Sequence, residues 1–271
     1  MPQEVHPADD ADNRLDEQQR QALAALRART PARLLVGRAG SAYRTHTQLE
    51  LREDHAIAVD SVHAEMDLFR DFGAAFVAER GLFEVATRAS DKAEFLKQPG
   101  LGRQFSEAAR EALAARCRAD TDIQIAIGDG LSSAAVAAQA PSLVPLLEQG
   151  AAKRGWTLGQ TFAIRHCRVG ILNEIGALLR PRVAILLIGE RPGLATAESL
   201  SAYMAFRPQS GHTDAERNLI SNIHVRGVPP GQAAVRILAL AEQMMTAETS
   251  GVAIKEQLGA TKGIEERRRL E

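Results

Sequence analysis

One apolar run limits what this chain can become more than any other feature. Val183–Ile188 reads Val-Ala-Ile-Leu-Leu-Ile without a charge and ends in Gly189, Glu190, Arg191, Pro192 and Gly193. A half-exposed strand alternates apolar and polar residues. An unbroken run of branched residues instead fits a strand covered on both faces, in a parallel sheet flanked by helices. Ligands of open α/β sheets bind just past the carboxyl ends of the strands. Glu190 and Arg191 therefore stand where a ligand is expected; the alternative is a plain turn with a solvated Glu–Arg pair.

The pattern recurs at Ile123–Gly128, an apolar strand followed by Asp129, Gly130, Leu131 and Ser132 and then by a helix over 134–139. Two such carboxylate loops side by side would line one edge of a sheet. Residues 81–87 and 162–164 read as further strands, and 250–254 as a short strand or extended tail. Helices are expected over 18–29 (stopped by Thr30 and Pro31), 47–66, 91–97, 105–117 with Ser106 as cap, 141–154, 171–179 and 232–245. Residues 197–206 read as a helix or partly helical loop, and 213–224 as a polar, hydrogen-bond-rich stretch. Strands alternate with helices after residue 105, which favours one α/β domain with a largely parallel sheet. The organisation expected is an N-terminal arm and helix over 1–30, a mainly helical segment over 31–104, the α/β domain over 105–255 and a disordered tail over 256–271.

Composition narrows the function classes. With 33 basic against 34 acidic residues the net charge is −1, which gives no global attraction to nucleic acid or anionic membrane. An aromatic content of 4% argues against a stacking platform for bases. No apolar run approaches the roughly 20 residues of a membrane span. The acidic, polar N-terminus lacks the apolar core of a secretion signal. Two cysteines, Cys117 and Cys167, make no disulfide framework and fit a reducing compartment.

Chemistry-bearing motifs are sparse. Gly37 and Gly40 flank Arg38, but without the glycine spacing and terminal Lys-Ser/Thr of a phosphate loop; a glycine-rich turn before a helix is the simpler reading. Gly128 and Gly130 lack the third glycine of the dinucleotide fingerprint. His46, His55 and His63 lie among acids at no metal-helix spacing, so a solvated helix face is expected. His166 and Cys167 are neighbours that would point to opposite faces of a strand, which disfavours a nucleophilic pair. No catalytic residue and no metal ligand is expected. Ligand loops without a catalytic group suggest a chain that holds a ligand and leaves the chemistry elsewhere.

Five stretches taken together carry a resemblance. They are 37–40, Asp129–Ser132, Glu174–Gly176, Gly189–Leu194 and Arg217–Ile223. In this order and spacing they resemble the small subunit of adenosylcobalamin-dependent ethanolamine ammonia-lyase, from about Pro31 to Ile254. The resemblance implies a Rossmann-like fold. It also implies a radical ammonia-lyase reaction taking ethanolamine to acetaldehyde and ammonia. A large (β/α)₈-barrel subunit would carry the substrate and catalytic groups, with cobalamin held between the two subunits. The cofactor's own benzimidazole stays on cobalt in this family, consistent with the lack here of the histidine motif of base-off cobalamin domains. Val169, Glu190 and Leu219 match family cofactor contacts. Val169 would pack against the cofactor or present its backbone, and Glu190 would accept from amide N–H groups of the corrin rim. Leu219 stands where some relatives have cysteine, leaving an apolar contact. The location implied is the bacterial cytoplasm, with an ethanolamine-utilisation microcompartment left open. Two other readings compete: a stand-alone α/β enzyme using a nucleotide cofactor, and a purely structural partner subunit. Neither accounts for the joint order of the motifs.

Overall fold

The computed structural model describes residues 16–29, 36, 38–193 and 196–256. The expected arm before Asp16, the stop at Thr30 and Pro31, the Leu34, Leu35 and Gly37 part of the glycine turn, Leu194 and the tail after Glu256 lie outside the described residues.

Helix α1 (Glu17–Ala28) starts at a capping box, in which Asp16 accepts the Gln19 N–H and Gln19 reaches back to the Asp16 N–H. Strands β1 (Arg38–Ala39) and β2 (Ala42–Tyr43) form a minimal hairpin with Gly40 at its turn, immediately before α2 (Thr45–His63). The glycine turn thus precedes a helix, as expected, and Arg38 lies exposed over the Tyr43 ring. Helix α2 is largely exposed, with Thr47, Ala58 and Ser61 buried, and His46 pairs with Glu50 on its surface. It ends at His63, three residues short of the expected end at Met66; α3 (Leu68–Phe72) and α4 (Ala74–Arg80) follow as separate short helices.

The chain then enters the sheet with β3 (Phe83–Ala86). Helix α5 (Lys92–Lys97) begins at Asp91, which accepts the Glu94 N–H, and α6 (Glu107–Arg116) begins at Ser106, which accepts the Ala109 N–H. After them come β4 (Ile123–Gly128), α7 (Ser133–Lys153), β5 (Phe162–Arg165), a 3-10 turn over Val169–Ile171, α8 (Leu172–Leu179) and β6 (Val183–Gly189). Two antiparallel strands, β7 (Leu200–Phe206) and β8 (Asn218–Ile223), lead to α9 (Pro230–Ala247).

These strands build a mixed six-stranded sheet in the order β3-β5-β4-β6-β7-β8. The first four are parallel; β7 and β8 extend the sheet antiparallel from β6. Every residue of β4 and β6 is buried, so the two apolar runs are strands covered on both faces, as expected from their sequence. Ile123, Ile125, Ile127, Ile185 and Leu187 face α7 and α9, whereas Ala126, Ala184, Leu186 and Ile188 face α6 and α8.

The connections create a crevice. From β4 the chain passes through α7 on one face, and from the neighbouring β5 it passes through α8 on the other. Adjacent parallel strands whose connections leave to opposite faces open a gap at their carboxyl ends. The loops after β4 and β5 border that gap, and the loop after β6 lies beside them because Gly128 pairs with Ile188.

Several elements correct the sequence reading. Residues 197–206 hold a strand, not a helix: Leu200, Ala202, Met204 and Phe206 are buried on the α7–α9 side and alternate with Ser201 and Tyr203. That period of two outweighs the helix-forming alanines. The polar stretch after Thr213 is a 3-10 turn followed by β8. Residues 250–254 contain a 3-10 turn rather than a strand. The two helices expected on either side of Ala140 are one, α7, with Pro141 and Pro145 inside it. Each proline removes a backbone N–H, but Ala140, Leu143, Val144 and Leu147 are buried along the same face. Tertiary packing decides where local propensity would break the helix.

Candidate functional site

The loops after β4, β5 and β6 meet at one edge of the sheet. A cavity of about 190 Å³ lies between them, lined by Gly130, Cys167, Val169, Glu190, Arg191 and Tyr203 among others. It shares Arg168, Val169 and Tyr203 with an open trough of about 730 Å³, bordered further by Arg103, Asn173, His212 and Arg217. The two adjoin at these shared residues, the first at the strand ends and the second bordered by Asn173 and Glu174 of α8.

The glycines that frame the acids allow this close approach. Gly130 has φ +57°, and a Cβ there would sit 2.3 Å from the Gly189 carbonyl oxygen. A Cβ on Gly189 would lie 2.0 Å from the Ser132 carbonyl oxygen. The backbones touch directly, with the Leu131 N–H donating to the Gly189 carbonyl at 3.1 Å. The twin carboxylate loops are therefore side by side, as the sequence pattern implied.

The two carboxylates differ in environment. Glu190 is half-buried and faces the cavity. Its Oε1 accepts from Ser201 Oγ at 2.5 Å and from the Asn222 N–H at 3.0 Å, and its Oε2 accepts from Ser199 Oγ at 2.8 Å. A carboxylate offers about four acceptor positions, so one remains for a donor in the cavity. Asp129 instead turns inward and is fully buried. It accepts the His166 N–H at 2.9 Å and the Cys167 N–H at 2.8 Å, with Lys92 Nζ at 3.7 Å. Burial pushes its carboxyl up, while Lys92 and the two amide groups pull it back down. Lys92, itself buried, also donates to the Gly130 carbonyl.

Val169 opens the 3-10 turn after β5 and borders both cavity and trough. Leu219 is 45% exposed on β8, where it pairs with Tyr203 of β7 and so shares its face of the sheet. Helix α9 packs on the opposite face of these strands, through the neighbouring buried residues Ala202 and Ile220. Val169, Glu190 and Leu219 thus border or adjoin one open surface, with Tyr203 between Glu190 and Leu219.

His166 and Cys167 lie past the end of β5 rather than on it, and His166 has φ 58°. The strand-face argument against a nucleophilic pair therefore does not apply. The environment gives a different one: Cys167 is buried, and burial with the nearby Asp129 drives its thiol well above its ordinary range. A thiolate is disfavoured there.

Other motif residues hold the fold. Glu174 pairs with Arg110 at 2.7 Å and accepts the Phe105 N–H at 2.6 Å. Asn218 binds Gly251 and Ile254, tying down the segment after α9.

The sequence reading missed Arg168, Ser199, Ser201 and Tyr203. The last three follow from the misread β7, whose alternation of small or apolar with polar residues was the available signal. Arg168 stacks on the Phe95 ring at 4.3 Å, and its buried Nε has no hydrogen-bond partner. Burial and nearby Arg191 lower its pKa. Such a guanidinium at a cavity wall suits an acceptor-bearing ligand.

Comparison with known proteins places the chain in a family. Residues 20–255 match the model of the ethanolamine ammonia-lyase light chain (EutC). The chain is 40% identical over 236 residues to the ethanolamine ammonia-lyase small subunit of Clostridium perfringens, covering 87% of this chain and 78% of that one. With its counterpart in Listeria monocytogenes the identity is 41% over 226 residues, covering 83% and 75%. With that of Clostridium acetobutylicum it is 37% over 233 residues, covering 86% and 94%.

Proposed function

Because the chain belongs to the ethanolamine ammonia-lyase light-chain family, we propose that it is the cofactor-holding small subunit of a lyase complex whose large subunit carries the substrate. The complex converts ethanolamine to acetaldehyde and ammonia with adenosylcobalamin. Its sheet, with the crevice between β4 and β5, is of the Rossmann-like class, and the loops at that end grip one side of the cofactor.

The observation that carries this reading is the shared open face of Val169, Glu190, Tyr203 and Leu219 beside the strand-end cavity. The residues suit cobalamin, whose corrin rim presents methyl groups together with amides that both donate and accept. Val169 and Leu219 offer apolar contact, Glu190 one free acceptor position, and Arg168 an unpartnered buried donor. The depression is also incomplete. Ligand pockets typically bury most of a drug-sized ligand in roughly 300–1,000 Å³, and a trough of about 730 Å³ open to solvent covers only one side of a macrocycle of this size. A partner has to close the other.

When bound, the cofactor supplies the radical chemistry, and the protein supplies position and electrostatics. On this chain, Glu190 orients the amide rim, held in place by Ser199, Ser201 and Asn222. Val169 and Leu219 exclude water from the contact, which protects reactive intermediates. Arg168 meets an acceptor at the trough side. None of these groups needs to take or give a proton.

Co-expression with the large subunit tests the proposal. The purified complex should retain a corrinoid visible spectrum and turn over ethanolamine, and both should be lost without this chain. Full turnover by the large subunit alone, or by this chain alone, would overturn the proposal.

A further inference from the structure

Asp129 is a buried carboxylate for which the proposed function has no direct use. Its loop follows β4, but both of its oxygens reach across the crevice to the neighbouring loop after β5, where they accept the successive His166 and Cys167 N–H groups. Two adjacent amides can converge on one carboxylate here because His166 adopts φ 58°, which turns the chain sharply at the end of β5. A non-glycine residue in this left-handed region is held there by its surroundings. Three other contacts fix the rest of the turn. Thr87 Oγ1 donates to the His166 carbonyl, the Arg168 N–H donates to the Gly102 carbonyl, and the His166 ring lies between the Ala89 carbonyl and Glu65. None of these accepts the two N–H groups inside the bend. Immediately after it come Arg168 and Val169, which border the cavity.

We infer that Asp129 is a positioning residue for the cofactor loop: its buried carboxylate, balanced by Lys92, clamps the His166–Cys167 amides and so presents Arg168 and Val169 to the cleft. The inference rests on the proposed role of Val169 toward the cofactor. Lys92 makes the clamp tolerable, because a buried carboxylate without a partner would be strongly disfavoured. Its ammonium also donates to the Gly130 carbonyl, so one cation braces the loop after β4 on both sides of the Asp129–Gly130 bond.

The test uses the complex with the large subunit and adenosylcobalamin as the probe. In Asp129→Asn one side-chain oxygen still accepts an amide N–H, while the other position becomes a donor facing a donor. Cobalamin binding should weaken about tenfold or more, while KM for ethanolamine in cofactor-saturated complex stays near that of the parent. Trypsin should also cut the full-length chain faster after Arg165 or Arg168. Asp129→Asn combined with Lys92→Met removes both buried charges, and serves as the readout if the single variant does not fold. It should recover melting temperature but not cobalamin affinity, because the second N–H still lacks its acceptor. A folded double variant with parental affinity and parental trypsin resistance would overturn the inference. Failure of both variants to fold would overturn it too, by making Asp129 a residue of the fold as a whole. Val169→Glu separates the two levels of argument. If it weakens cobalamin binding and Asp129→Asn does not, only the positioning role falls; if it has no effect, the role of Val169 falls with it.

Discussion

Replacing Glu190 by alanine and by glutamine separates two roles of one carboxylate. The side chain accepts three hydrogen bonds, from Ser199, Ser201 and the Asn222 N–H. They connect the end of β6 to both antiparallel strands. A hydrogen bond to a charged acceptor contributes roughly 1.5–3 kcal/mol. Glu190 is only half-buried, so water replaces part of what alanine removes and the three bonds do not add. A loss of about 2–4 kcal/mol in unfolding free energy is expected for Glu190→Ala. It would be read from the urea midpoint of the full-length chain with the slope unchanged. Glu190→Gln keeps a carbonyl oxygen for Ser201 and Asn222 and turns an amide N–H toward the Ser199 oxygen, so the stability change should stay under about 1 kcal/mol. On the cofactor the glutamine variant has a different effect. The acceptor position left for the cofactor is on Oε2, which in this variant becomes an amide N–H, so a bond of roughly 1.5–3 kcal/mol to a charged acceptor is lost, which is about tenfold or more in Kd. Cobalamin titration of the complex, followed by its visible spectrum, should show that loss. A glutamine variant as unstable as the alanine one, or an alanine variant with the parental midpoint, would refute the hydrogen-bond reasoning. Parental cofactor affinity in the glutamine variant would refute a direct contact.

Leu219→Asp should leave chain stability within about 0.5 kcal/mol, as for other exposed positions, yet reduce corrinoid retention several-fold in the complex; unchanged retention would remove Leu219 from the contact surface. Gly130→Ala forces a side chain into φ +57° against the Gly189 carbonyl and should lower unfolding free energy by more than about 2 kcal/mol in urea titration, whereas near-parental stability would deny the close approach of the two loops. His224 accepts the Arg226 N–H on Nδ1 and lies 2.7 Å from the Asn222 side-chain oxygen, and burial with nearby Arg226 holds its pKa below 6.5. The unfolded chain therefore binds this proton first as pH falls, so the stability His224 contributes is complete above about pH 6.5 and is lost below it; the melting temperature should drop more between about pH 7.5 and 5.5 in the parent than in His224→Gln, and an equal drop would contradict the assignment.

The centre of this molecule was legible because burial on both faces of a strand leaves a short, unbroken apolar run rich in branched residues and bounded by glycine. Val183–Ile188 and Ile123–Gly128 read as covered strands, and the structure pairs them as neighbours. The glycines around Glu190 and Asp129 were equally telling, since backbones that touch tolerate no Cβ. What each carboxylate does was not legible. Asp129 turns inward because Lys92, His166 and Cys167 come from segments distant in sequence, and nothing in 129–132 signals that. Glu190 points outward but is pinned by Ser199, Ser201 and the Asn222 N–H, and the two serines were hidden while 197–206 read as helical. Alanines at 202 and 205 favoured that reading, although Leu200, Ala202, Met204 and Phe206 kept a period of two. The prolines of α7 misled in the opposite sense, because a buried face holds a helix through positions that would end it in isolation.

Hydrogen exchange on the assembled complex, with and without adenosylcobalamin, tests the central claim most directly. Cofactor should slow exchange at Val169 and Gly170, at Glu190 and Arg191, and along Leu219–Asn222, while α9 on the far face of the sheet stays unchanged. Protection confined to α9 or α1, with none at these three segments, would contradict the claim that the strand-end face of this chain holds the cofactor.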